Sequence, residues 1–230
     1  MALSFVPASK TKIAYAASMG GAEIKPDRKN ILATHVNSLD FVSVREKSAI
    51  PFVSTMKNGD VIHVLDPVML LDKSEWDDIS ATPPEKAYIL TYDLRETGVQ
   101  KYAEALSQKY GYEIVSLATD GAATFGPKEF VGYIKHAKYF ITSAFHGAVF
   151  SILYKVPFLV FPVSDNPEDP KSTDSRLISL LDAFGLSSCY VYDTSNIPNI
   201  DDVTFHHLDE SKTSAYRHNS LQFLKDALKS

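Results

Sequence analysis

Short β-branched or aromatic runs alternate with segments of helical period along almost the whole chain. Runs at 12–17 (KIAYAA), 40–44 (DFVSV) and 61–65 (VIHVL) predict strands, with helices at 29–39 and 45–56 between them. Lys57-Asn58-Gly59-Asp60 turns the chain into the third strand, and Asp66-Pro67 ends it, because proline removes a ladder donor. The stretch 71–86 is acidic, carries Pro83-Pro84 and has no clear period, which marks a linker or domain boundary. Beyond it, strands are expected at 87–92, 113–117, 139–142, 158–161 and 188–192. Helices are expected at 97–110, 127–137, 146–154 and 174–184, and an amphipathic helix at 210–228 closes the chain.

Strands separated by helices of this length predict parallel sheets with right-handed crossovers, a doubly wound α/β architecture of Rossmann type. Residues 81–230 read as a complete domain of this kind with its closing helix. Residues 1–80, with three strands, read as an incomplete one. With 45% apolar and 22% charged residues, the chain can build a substantial core and is not disordered. Twenty-three Lys plus Arg stand against 28 Asp plus Glu, a net charge of −5 without long runs of one sign, which argues against a nucleic-acid partner. Cys189 is the single cysteine, so no internal disulfide forms, in keeping with a reducing compartment. Residues 1–7 lack the basic region and apolar core of a secretory leader. The most apolar stretch, 143–163, would bury His146, Lys155 and Pro157 in lipid if it spanned a membrane. It reads instead as strand and helix, and no transmembrane segment is expected.

Thr142-Ser143-Ala144-Phe145-His146-Gly147 lies where a strand ends and a helix begins, the place where open α/β sheets bind ligands. Free N–H groups at a helix start favour phosphate, and a histidine there serves as acid or base near neutral pH. The structural alternative is a helix start capped by Ser143, with His146 satisfied by a backbone carbonyl. Ser43-Val44-Arg45-Glu46-Lys47-Ser48 is a second strand-to-helix passage. Arg45 offers a planar fork for carboxylate or phosphate, or else the stretch is a solvated first turn with Glu46 facing the helix dipole. Ser18-Met19-Gly20-Gly21 permits close approach of a ligand but also makes an ordinary turn. Arg95 follows a strand and Arg176 opens a helix, both as surface arginines or as cleft cations. His206-His207 has no acidic or cysteine partner at ligand spacing, so no metal site is expected. There is no P-loop, no G-x-G-x-x-G and no G-x-S-x-G.

The order of KIAYAASMG (12–20), FVSVREKS (41–48), VLDPVMLLD (64–72), GPKEFV (126–131), YFITSAFHGAVFSILYKVPFLVF (139–161) and SRLISLLDAFGL (175–186) resembles the polysaccharide pyruvyl transferases. The ITSAFHG stretch with its downstream K-x-P-F is the most specific of these, and the resemblance covers 12–186. It implies a GT-B-like pair of Rossmann-type domains and an enzyme. The implied reaction moves a pyruvyl group from phosphoenolpyruvate to two sugar hydroxyls, giving a cyclic ketal on an exopolysaccharide, a cell-wall glycan or a glycan-lipid acceptor. No cofactor is implied beyond that donor. By similarity His146 is the general acid and Arg45 the donor clamp, with Ser18, Ser143, Phe145 and Gly147 lining the cleft. Arg95 and Arg176 join them from position alone. The implied location is cytoplasmic, at the inner face of the membrane with other glycan-assembly enzymes.

Two departures bear on this reading. Ala144 stands where family members often carry a hydroxyl or larger polar residue, and full-length relatives have further strands before the equivalent of Lys12. A half-domain would expose a sheet edge and an apolar helix face, which favours a homo-oligomer or a missing N-terminal half. Two other functions therefore stay open: a non-catalytic remnant binding phosphate or sugar, and a GT-B glycosyltransferase using a nucleotide sugar.

Overall fold

Every strand pairing among the described residues is parallel, as the strand–helix alternation requires. The computed structural model describes residues 3, 5–7, 9–20, 26–83, 85–117, 125–169, 172–203, 205, 208 and 210–229. Gly21, Pro84, His206 and His207 lie outside them. Two compact units emerge, one of residues 1–70, 168–180 and 209–230, the other of 71–167 and 181–208.

In the first unit the order is β1 (Ile13–Ala17), α1 (Pro26–Asn37), β2 (Phe41–Val44), a 3₁₀ turn Lys47–Ala49, α2 (Ile50–Ser54) and β3 (Val61–His63), and the sheet runs β1-β2-β3. Leu39, Val42, Val44, Ala49 and Val53 form its buried core. The helix expected over 45–56 is shorter. Glu46 stays extended because its buried carboxylate is tied to the loop after β1, and α2 starts only at Ile50, with Pro51 in its first turn, where the fixed φ fits. β1 is bulged between Ala14 and Ala17, with Ala16 at φ 51°. The fully buried Ser43 hydroxyl bridges the bulge, donating to Ala14 O and accepting from Ala16 N–H, both at 3.0 Å.

The closing helix α8 (Glu210–Lys229) belongs to this first unit, not to the second domain as the sequence led us to expect. Its buried Ser220 hydroxyl accepts the Leu65 N–H at 2.9 Å, and Phe223 packs 6.2 Å from Tyr15 and 6.3 Å from Phe41. Arg217 Nε donates to Met69 O. A three-stranded sheet has an apolar face to cover, and α8 supplies the cover.

The second unit contains α3 (Lys73–Asp77), β4 (Tyr88–Tyr92), α4 (Val99–Tyr110), β5 (Glu113–Ser116), α5 (Pro127–His136), β6 (Tyr139–Thr142), α6 (Phe145–Tyr154) and β7 (Phe158–Val160). The sheet order is β5-β4-β6-β7. Ile89, Leu90, Phe140, Ile141, Phe158 and Leu159 are fully buried, which is why these strands read as continuous apolar runs. α5 begins with Gly126 at the cap, Pro127 next, and Glu129 reaching back to the Gly126 N–H at 2.9 Å. Of the linker or boundary expected at 71–86, the boundary falls at its start, between Leu70 and Leu71, and the stretch is packed rather than loose: Trp76 lies edge-on to Phe150 at 5.1 Å, and Asp77 pairs with Lys135 at 2.8 Å. The strand expected at 188–192 is a 3₁₀ turn, Ser187–Cys189, and a single bridge from Tyr190 to Val160. The helix α7 (Ser175–Ala183) precedes it. Among the described residues no helix is long and apolar enough to cross a membrane.

Candidate functional site

From β4 the chain passes to β5 on one side and then crosses to β6 on the other, so the carboxyl ends of β4 and β6 flank a topological switch point. Those ends are knotted together. Ser143, almost fully buried, donates from Oγ to Asp93 Oδ1 at 2.9 Å and accepts the Leu94 N–H at 2.8 Å. Its own N–H and the Thr142 hydroxyl both reach Tyr92 O. Asp93 further accepts the N–H groups of Arg95 and Thr97 and the Thr97 hydroxyl.

Ser143 is thus spent on the loop after β4 and does not cap α6, the role considered for it from sequence. The cap position falls to Ala144, which offers no side-chain acceptor. α6 therefore begins at the positive end of its dipole without a side-chain cap. His146 sits in that turn with its side chain exposed, edge-on to Phe145 at 5.4 Å. Phe145 and Gly147 are buried. A Cβ on Gly147 would lie 2.8 Å from Thr142 Oγ1 and 3.0 Å from Phe140 Cε1, so this glycine lets α6 lie close on β6. Arg95 is exposed on the Asp93 loop, joined to Ser143 through Asp93.

In the first unit the carboxyl ends of the strands carry a second constellation. Arg45 Nη1 donates to Asp66 Oδ2 at 2.6 Å, and Arg45 Nε lies 4.0 Å from Glu46 Oε2. Glu46, only 2% exposed, accepts from the Ser18 hydroxyl at 3.0 Å and the Met19 N–H at 2.6 Å. The expectation of a solvated Glu46 facing a helix dipole is therefore corrected: the carboxylate anchors the Ser18–Met19 loop inside the fold. Lys47 N–H donates to Ser179 Oγ at 2.9 Å, which docks the middle of α7 here. Arg176, three residues earlier and on the same helix face, is thereby brought beside Arg45. Burial, and then the like charge of Arg45, pull the Arg176 guanidinium below its ordinary range, with Glu46 and Asp174 acting the other way. His63 completes the group, its Nε2 3.3 Å from Arg45 O.

The residues singled out in the sequence thus fall into two sets. Ser18, Arg45 and Arg176 come together in the first unit. Ser143, Phe145, His146, Gly147 and the Arg95 backbone come together in the second. Asp66, Glu46, Asp93 and His63 were missed as partners. Asp66-Pro67 carried a signal only as a strand end, and nothing local marks a carboxylate that answers an arginine from another strand. Among the described residues no group of three or more metal-ligating side chains occurs.

Residues 1–165 match the family described as polysaccharide pyruvyl transferase. A solved structure titled the wall teichoic acid polymerase TagF, H444N variant, is similar at 12% identity with a TM-score of 0.44, over 94% of this chain and 65% of that chain. The chain therefore spans less than two thirds of that structure's length. No curated protein sequence matches significantly.

Proposed function

The chain belongs to the polysaccharide pyruvyl transferase family, and from that premise we propose that it transfers a pyruvyl group from phosphoenolpyruvate to two hydroxyls of a glycan. The observation that carries this reading is the family match over 1–165, which takes in both Arg45 and the helix start at His146. The chemistry suits the residues. A proton delivered to the methylene carbon makes C2 of the donor electrophilic, one sugar hydroxyl adds there, and phosphate leaves as C2–O breaks. The second hydroxyl then closes the ketal. Of the two hydroxyl protons released, one replaces the proton delivered to carbon and the other departs with phosphate, so the step balances without a redox partner or cofactor.

In this reading His146 delivers the proton, a task for which an exposed imidazole near neutral pH is suited. Arg45, with Arg176 beside it, is the clamp that the resemblance implies for the donor's anionic groups. The acceptor is a polymer or lipid-linked sugar, and the protein works where such precursors are assembled.

Incubation of the purified chain with phosphoenolpyruvate and a β-galactoside or N-acetylmannosamine acceptor tests this. The expected result is acceptor-dependent phosphate release with formation of a pyruvate ketal, lost in His146→Ala. Absence of both donor binding by calorimetry and phosphate release from the folded protein would overturn the reading.

A further inference from the structure

At the carboxyl ends of β4 and β5, beside the first turns of α4, the second unit holds a cleft of about 560 Å³ that the donor reading leaves unused. It is the size of pockets that take small ligands. Its lining includes Glu96, Gln100, Lys101, Glu104, Thr91 and Ser116. With Asp93 the lining holds three carboxylates against one ammonium, so an anionic ligand is disfavoured, while the carboxylates, the amide and the hydroxyls offer acceptors to the hydroxyls of a neutral ligand. A hydroxyl donates one bond and accepts two, and alternating donors and acceptors suit a ring of several hydroxyls.

Two features show that the cleft is shaped in advance. Asp93 ties the loop that carries Glu96, accepting from Arg95, Thr97 and Ser143. That loop holds Glu96 at φ 26°, a left-handed conformation disfavoured for a residue with a Cβ, and strain of this kind persists only where the surroundings fix it. On α4, Gln100 donates to Glu104 at 3.0 Å across one helical turn, which leaves the amide carbonyl and the second carboxylate oxygen as acceptors at the cleft. Glu96 and Lys101 have exposed side chains and no hydrogen bond or ion pair among the described residues.

We propose that this cleft binds a neutral sugar residue of the glycan acceptor, with Glu96 and Lys101 as its main polar contacts. The class of ligand rests on the pyruvyl transfer reading; the place and residues rest on the cleft. Each charge-assisted bond to a hydroxyl is stronger than a neutral one, so each side chain carries a measurable part of the affinity.

Saturation-transfer NMR and calorimetry with methyl β-galactoside and N-acetylmannosamine, without donor, test the assignment in the full chain. Saturable binding is expected, weakened about tenfold in Glu96→Gln and in Lys101→Ala, while the same variants bind phosphoenolpyruvate as wild type does. Both side chains are exposed, so the variants should fold, which melting curves verify. No sugar binding, or sugar binding indifferent to both substitutions, overturns the assignment whatever the donor does. Sugar binding lost in the variants by a protein that never binds phosphoenolpyruvate upholds the cleft and removes the transferase reading instead.

Discussion

Asp66 accepts the Arg45 guanidinium at 2.6 Å while its other oxygen accepts the Val68 N–H at 3.0 Å. The Asp66-Pro67 turn therefore does more than stop a strand: it holds a carboxylate, 3% exposed, against the arginine at the end of the neighbouring one. This pair is the closest contact in a cluster that also brings Glu46 and Arg176 to Arg45.

Removing one member of the pair leaves the other short of its closest opposite charge. Asp66→Ala should cost about 3 kcal/mol, the lower end for broken buried pairs because the Arg45 side chain keeps 15% of its exposure. Arg45→Ala should cost a similar amount, and the double variant clearly less than the sum. Urea denaturation at neutral pH measures all three. Strictly additive losses would mean that the two side chains do not depend on each other.

His63 links this sheet end to pH. Burial, with Lys47 adding to it, lowers its pKa from the ordinary 6.5, and the bond to Arg45 O only partly opposes that. The folded state thus resists a proton that the unfolded chain accepts. Stability is complete above about pH 6.5 and declines as the pH falls through that value towards the folded pKa. The neutral ring also stands edge-on to Tyr216 at 5.9 Å. Melting temperatures at pH 7.5 and 5.5 should differ more for the native chain than for His63→Gln. An equal drop in both would assign the acid sensitivity elsewhere.

The parallel sheets and the two strand-to-helix passages at Arg45 and His146 were legible because period and turn chemistry are local properties. What escaped the sequence was long-range. The loop-knotting role of Asp93 depends on Ser143, fifty positions away, and the bond from Lys47 to Ser179 spans 132 positions. The amphipathic period of 210–228 predicts a helix but not which sheet it covers. Ser220 and Phe223 decide that by meeting Leu65, Tyr15 and Phe41.

Asp201 gives an acid-sensitive tie at the other end of the second sheet. The hydroxyls of Tyr110 and Tyr139 and the Lys109 ammonium all donate to its carboxylate, taking its pKa down to about 2. A carboxylate lowered in the fold contributes above its unfolded pKa of about 4 and loses that contribution as the pH falls to about 2. Asp201→Asn should therefore melt below the native chain at pH 7, with the gap narrowing as the pH falls from about 4 towards 2. The group is partly exposed, so the gap is modest and shrinks in salt. A gap as wide at pH 2.5 as at pH 7 would show that the substitution acts through packing instead.

Gly147 and His146 are neighbours with opposite surroundings, and substituting each separates packing from chemistry. The Thr142 hydroxyl that a Gly147 methyl would meet is already committed to Tyr92 O and the Ala144 N–H, so it cannot turn away without breaking one bond. Gly147→Ala should then cost about 1–3 kcal/mol by overpacking, lifting the start of α6 from β6 and displacing the imidazole with it. His146→Ala removes an exposed ring and should change stability by less than about 0.5 kcal/mol. In the proposed reaction both variants lose phosphate release, Gly147→Ala in a weakened fold and His146→Ala in an intact one. Paired urea titrations and phosphate-release kinetics distinguish them. If His146→Ala proved as destabilising as Gly147→Ala, the histidine would be a packing residue and the acid would have to be sought elsewhere.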